Sequence, residues 1–196
     1  MQEAGKIIHL IPEYFPRVST MMRLVGVSEC VLHPEVQYSR QSWQNRTKIR
    51  NPDGWQWLTV PLEARHLGDA IADTAILPAS EWATRHLKGL KFNYSTSPFH
   101  LHYIDEVEEL IRTAHDRLGP LTVASVKLSA KLLGLGVSFR IAESDEAFLA
   151  SESPSFELDP RQEYAYRQNF EGFIPGMSVL DILFNHGPEA VRLLQP

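Results

Sequence analysis

The chain has 196 residues, 43% hydrophobic and 22% charged, and nineteen Lys and Arg against twenty-four Asp and Glu leave a net charge of −5. That length suits one domain, 1–196, with a sizeable core; the composition excludes intrinsic disorder, and the acidic balance speaks against nucleic acid or anionic lipid as partner. No apolar run nears the roughly 20 residues that span a bilayer, the opening MQEAGKIIHLIPEYFP is too interrupted for a signal peptide, and a lone Cys30 excludes an internal disulfide and a cysteine-based zinc site, which together predict a cytoplasmic protein.

Ile7 to Ile11 reads as a short buried strand closed by Pro12. Val18, Met21, Met22 and Val25 recur at helical spacing with Gly26 as a stop, and Cys30-Val31-Leu32 forms a second strand ended by Pro34. Strand, helix and strand in about 30 residues match a βαβ unit with parallel pairing, and Cys30 is expected to pack as a small buried hydrophobe. Aromatic and β-branched residues in Val36 to Tyr38 and Trp55 to Val60, with the turn Asn51-Pro52-Asp53-Gly54 after Thr47-Lys48-Ile49, predict a β-hairpin excursion near residues 36–62.

Helical periodicity follows. A helix is predicted to start at Ser80 as N-cap with Glu81 in its first turn. Tyr103, Val107, Leu110, Ile111, Ala114 and Leu118 form one apolar stripe, which Gly119-Pro120 is expected to break. Leu121, Ala124, Leu128 and Leu132 mark another helix, with Gly134 and Gly136 at its end, and Val137 to Ile141 alternates as a strand does. A polar loop from Glu143 to Pro160, a last strand near Glu163 to Asn169 and a helix from Ser178 to about Phe184 complete the chain. The predicted fold class is α/β: a mostly parallel, Rossmann-like sheet with flanking helices and the hairpin excursion.

The chain has no G-x-S-x-G elbow, no phosphate loop and no dinucleotide fingerprint, so no cofactor is assigned. His100 and His102 do not share a helix face, and with His115 they make a poor ligand set, so no metal site is assigned either. The richest polar-aromatic stretch is VQYSRQSWQNRTKI followed by GWQWLTVPL. Guanidinium groups, planar amides and indoles in one stretch suit recognition of a sugar or nucleotide; equally, Trp55 and Trp57 on one side of a strand can simply pack.

That run resembles the most recognisable pattern of the WbqC-like family. His9 with Pro12 and aromatic residues behind it, Trp82 with His86-Leu87 and Asn93-Tyr94, and the segment Ser178 to Asn185 with Gly187 also match, in the same order. Two departures stand out: His33-Pro34-Glu35 follows the second strand where members often carry an acidic pair, and no Ser-Gly element precedes the last strands. The resemblance implies a role in O-antigen or other bacterial surface polysaccharide synthesis. It implies a transferase of aminoacyl, glycyl or related acyl groups onto a nucleotide- or lipid-linked amino sugar, a small-molecule substrate. The alternatives are a non-catalytic sugar- or partner-binding protein of the same pathway and, from His9-x-x-Pro12 after the first strand, a nucleotidylyltransferase-like enzyme. On this reading His9 and His86 are the candidate bases, and Tyr38, Asn45, Arg46, Tyr94 and Asn185 contact substrate. His9, Asn45, Arg46 and His86 are expected to converge on one concave site.

Overall fold

The computed structural model describes residues 5–63, 68–143 and 165–195. Strands β1 (Ile7–Leu10), β2 (Glu29–Leu32) and β5 (Ser138–Ile141) form a parallel sheet in the order β1-β2-β5. Between the first two lies the short helix α1 (Val18–Met22), as the opening pattern predicts. Ile8 pairs with Cys30 and Leu10 with Leu32, so β1 and β2 turn these apolar positions to the same face. Cys30 is fully buried there, and burial pushes its thiol up to about 12.

Strands β3 (Arg46–Asn51) and β4 (Gly54–Thr59) make the antiparallel hairpin, with Pro52-Asp53 as its two-residue loop and Gly54 at φ 126°. Only this part of the 36–62 excursion is a hairpin. Val36 to Tyr38 turns away to bridge residues 69–71, with Tyr38 N–H donating to Asp69 and Ile71 N–H to Val36. Pro34 just ahead has no N–H to extend that ladder. The mixed α/β class therefore holds, as a small parallel sheet beside a separate hairpin.

Helices α2 (Ala79–Tyr94), α3 (His100–Arg112), α4 (Leu118–Leu132), α5 (Val179–His186) and α6 (Ala190–Leu193) supply the rest, with a 3-10 turn at Gly187–Glu189. Ser178 caps α5 by accepting from Leu180 N–H, as predicted. The α4 end also follows the sequence: Gly134 at φ 70° lets its N–H reach Lys131 O while Leu135 N–H reaches Ala130 O. Three boundaries differ. α2 begins two residues earlier, with Pro78 rather than Ser80 at the N-cap and no side-chain cap. The stripe running to Leu118 is split, since α3 stops at Arg112 and Leu118 opens α4. Gly119-Pro120 lies inside the first turn of α4, where a missing N–H costs no helical bond. Residues 165–169 carry no strand, and residues 144–164, which hold most of the expected polar loop, lie outside the described residues.

Two apolar clusters share α4 and α5. In one, Ile49 and Leu58 of the hairpin meet Trp82 and Leu90 of α2, Val107 and Ile111 of α3, Leu118 and Leu121 of α4, and Leu180 and Phe184 of α5. In the other, Leu10, Cys30 and Leu32 of the sheet meet Val126 and Ala130 of α4 and Val179, Ile182 and Leu183 of α5. Gly119 explains how α4 fits so closely. A Cβ there would stand 2.6 Å from the Ala72 Cα, a backbone atom that has no way to swing aside. Gly119→Ala is expected to lower stability by about 1–3 kcal/mol through overpacking. Gly136→Ala, with nothing within 4 Å of the added carbon, should change it by less than about 0.5 kcal/mol. Urea unfolding of the two variants checks this, and equal losses would refute the close-packing account.

Candidate active site

Register places two histidines side by side. His9 pairs with Val31 in the parallel ladder, and His33 is two residues beyond Val31, so His9 and His33 are diagonal neighbours on the sheet face opposite Cys30 and Leu32. His33 N–H continues the ladder to Leu10 O at 2.9 Å, which fixes the backbone just past β2. The His9 Nδ1 and His33 Nε2 atoms are 2.8 Å apart, and His33 Nδ1 is 2.6 Å from Glu35 Oε1. A carboxylate only accepts, so His33 donates from Nδ1, and as a neutral ring it accepts on Nε2. His9 then donates from Nδ1, which leaves its Nε2 bearing a lone pair. His33 is fully buried, His9 half-buried and Glu35 exposed. Arg23 reaches the His9 carbonyl at 3.4 Å, and its own pKa is lowered, first by burial and also by Arg17, with Glu13 and Cys30 opposing.

Asn45, Arg46 and His86 come together elsewhere, at the open end of the hairpin. Arg46 pairs with Thr59 in the ladder, Asn45 Nδ2 donates to Val60 O at 2.9 Å, and His86 Nε2 donates to Thr59 O at 3.1 Å. The Tyr14 hydroxyl donates to His86 Nδ1 at 3.0 Å, and the ring lies against Trp82. Both imidazole nitrogens are thus engaged, and His86 is 1% exposed. Burial, helped by the Arg85 charge and opposed by the Thr59 bond, brings its pKa down to about 4. That makes His86 a neutral core residue along one side of a groove of about 460 Å³ that Trp57 and Arg85 also line. Arg46 is different: Nε donates to Ser42 O at 3.1 Å while the guanidinium lies 4.3 Å over the Trp57 ring. Tyr38 sits in its field, where burial raises the phenol pKa and the Arg46 and Arg40 charges oppose the rise. His9 contacts His33 and Arg23 and shares no hydrogen bond or ring contact with these three residues.

Tyr94, fully buried, and Asn185, half-buried, belong to a third group. Asp181 is fully buried, accepting from the Tyr94 hydroxyl on Oδ1 and the Tyr166 hydroxyl on Oδ2, both at 2.8 Å. Tyr94 in turn accepts from Arg50 N–H at 2.9 Å, and Asn185 Nδ2 donates to the Asp181 carbonyl at 2.8 Å. Burial raises the Asp181 pKa to about 6, with the tyrosine hydrogen bonds, the Arg50 charge and Gln168 pulling the other way. This network ties α2, α5 and β3 together through Tyr94, while the Asn185 bond lies within α5.

The profile of the WbqC-like protein family matches residues 12–154 and 144–193. The chain belongs to the WbqC-like protein family. An uncharacterized protein of Mycobacterium tuberculosis (strain ATCC 25618 / H37Rv), Rv1507c, is 25% identical over 229 aligned residues, covering 97% of this chain and 97% of its own. No solved structure matches. No helix among the described residues is long and apolar enough to cross a membrane.

In this WbqC-like chain the residues that sequence reasoning passed over are His33 and Glu35, noted only as a departure from the family pattern. The signal was there: parallel pairing of the two predicted strands sets a histidine after β2 on the face of the histidine in β1. Asp181 carried no such signal, because its partners come from residues 94 and 166.

The two buried titrating groups act on stability with opposite signs. His86, its pKa depressed, contributes stability that is present above pH 6.5 and is lost as pH falls through about 4, roughly 3 kcal/mol in all. Asp181, its pKa raised, contributes stability that is present below pH 3.8 and is lost as pH rises through about 6, again roughly 3 kcal/mol. Asp181→Asn should therefore lose stability more steeply than the native chain between pH 6.5 and 4, and His86→Gln less steeply. Urea unfolding across that range measures the slopes; three parallel profiles would contradict both assignments.

Proposed function

We propose that this protein is a transferase that moves an aminoacyl, glycyl or related acyl group onto the amine of a nucleotide- or lipid-linked amino sugar in surface polysaccharide synthesis. The observation that carries the reading is the His9–His33–Glu35 chain. A general base needs a lone pair aimed outward and a group behind it that fixes the tautomer and stabilises the charge it acquires. His9 Nε2 has the lone pair, and His33 with Glu35 supplies the support. In the transfer the acceptor nitrogen forms a bond to the acyl carbon, the donor's leaving group departs, and the proton shed by that nitrogen goes to His9 Nε2. The Rossmann-like expectation adds the place: ligands of parallel sheets sit beyond the carboxyl ends of the strands, where His9 and His33 lie. Tyr38 and Arg46 are the proposed substrate contacts at the hairpin, with Arg46 holding an anionic group.

The test is transfer to a panel of nucleotide-linked amino sugars with activated acyl donors, read by mass spectrometry. His9→Gln should lower the rate by about 10²–10⁴-fold, as for loss of a general base. Glu35→Gln should cost less and shift the acid limb of the pH–rate profile. A His9→Gln protein as active as the native one would remove the proposed base.

A further inference from the structure

We propose that the outward face of the β3–β4 hairpin binds an acidic saccharide, its ring packed on Trp55 and Trp57 and its carboxylate or phosphate held by Lys48 and Arg46. Cross-strand pairing builds the surface. Lys48 is opposite Trp57 and Arg46 opposite Thr59, and the pleat turns all of these to the side away from Ile49 and Leu58, which enter the core. The Lys48 ammonium stands 4.2 Å from the centre of the Trp55 ring and 5.2 Å from those of Trp57 and Trp43. Arg17 lies 4.8 Å over Trp43, closing the patch from the start of α1.

The charges on this face are unevenly matched. Arg17 is paired with Glu13 at 2.7 Å. The Lys48 ammonium has no hydrogen bond or ion pair among the described residues, and the Arg46 guanidinium meets a carbonyl but no carboxylate there. The lysine pKa is lowered, first by burial, then by the neighbouring Arg46 and Arg17 charges. In a chain of net charge −5 that concentration is local. Packing alone does not account for Trp55, an indole left 41% exposed beside an unpaired ammonium. Trp57 also lines, with Arg85, a groove of about 460 Å³, a concavity of small-ligand size. An anion there relieves the repulsion among the cations, and sugar C–H groups cover the exposed indole.

The inference does not depend on His9 acting as a base. Three of the four tryptophans lie in the patch, so tryptophan fluorescence, backed by calorimetry, reads binding directly at low ionic strength. The probes are glucuronate, glucose 1-phosphate, glucose and inorganic phosphate. One or both charged sugars should bind at least about ten-fold more tightly than glucose and than phosphate alone, and which one does identifies the anion. Lys48→Met, which keeps the aliphatic stem over the indoles, and Trp55→Ala at its exposed position should each weaken that binding about ten-fold or more with thermal midpoints near the native value. The His9→Gln protein should bind as the native one does, so failure of the base and failure of this site are read separately. No binding of either charged sugar, equal binding of glucose, phosphate alone binding as well as the sugar phosphate, or a folded Lys48→Met protein with native affinity would each overturn the proposal.

Discussion

Phe15 holds its backbone at φ 40°, a left-handed conformation that costs a residue with a Cβ about 1–2 kcal/mol, and three side chains from separate elements keep it there. Its N–H donates to Ser125 Oγ of α4 at 2.6 Å, and its carbonyl accepts from Thr47 Oγ1 of β3 at 2.8 Å and from Ser178 Oγ, the cap of α5, at 3.2 Å. Each buried bond contributes on the order of 1 kcal/mol net and would leave an unsatisfied group if its partner were lost. The neighbouring backbone continues the seam: Tyr14 N–H reaches Trp43 O, Val179 N–H reaches Pro16 O, and Ser178 N–H reaches Lys48 O. Sheet, hairpin and the two helices shared by both cores are therefore fixed relative to one another by three residues beyond β1, Tyr14 to Pro16.

That seam decides where the chemistry-bearing residues go. The segment Pro12 to Arg17 leaves the parallel sheet at the His9 end and enters the hairpin at the Trp43 side. Glu13 within it binds Arg17 and Thr20, closing the start of α1, so Arg17 is directed over Trp43. The imidazole chain and the cation–indole face are thus built from opposite ends of one short connection. Neither needs a loop of its own, since both side-chain sets stand on strands or immediately beyond them, where backbone ladders fix their aim.

The polar interior sorts itself by hydrogen-bond supply. Asp181 is tolerated in the core because two phenol hydroxyls donate to it, and His86 because a carbonyl takes its proton and a phenol fills its lone pair. Both are satisfied by residues distant in sequence, and both leave their groups without a free site for chemistry. His9 has the opposite arrangement, with one nitrogen secured and the other without a partner among the described residues. That asymmetry separates the histidine with an open lone pair from the one that packs.

The sequence by itself determined the strand–helix–strand opening, the Asn51–Gly54 turn, the burial of Cys30, the caps at Ser178 and Gly134 and the family, because each rests on neighbours within a few residues or on a continuous motif. It also determined that Arg46 stands in a polar-aromatic stretch. It placed a strand at Val36 to Tyr38 and a helix end at Gly119-Pro120, where local preference gave way to contacts with residues 69–72. The tertiary structure alone decided that both His86 nitrogens and the Tyr94 hydroxyl are engaged in the core, while His33 and Glu35 join His9. A side chain's type is set by sequence, but which of its hydrogen-bonding atoms stay unsatisfied depends on partners brought from 24 to 87 residues away.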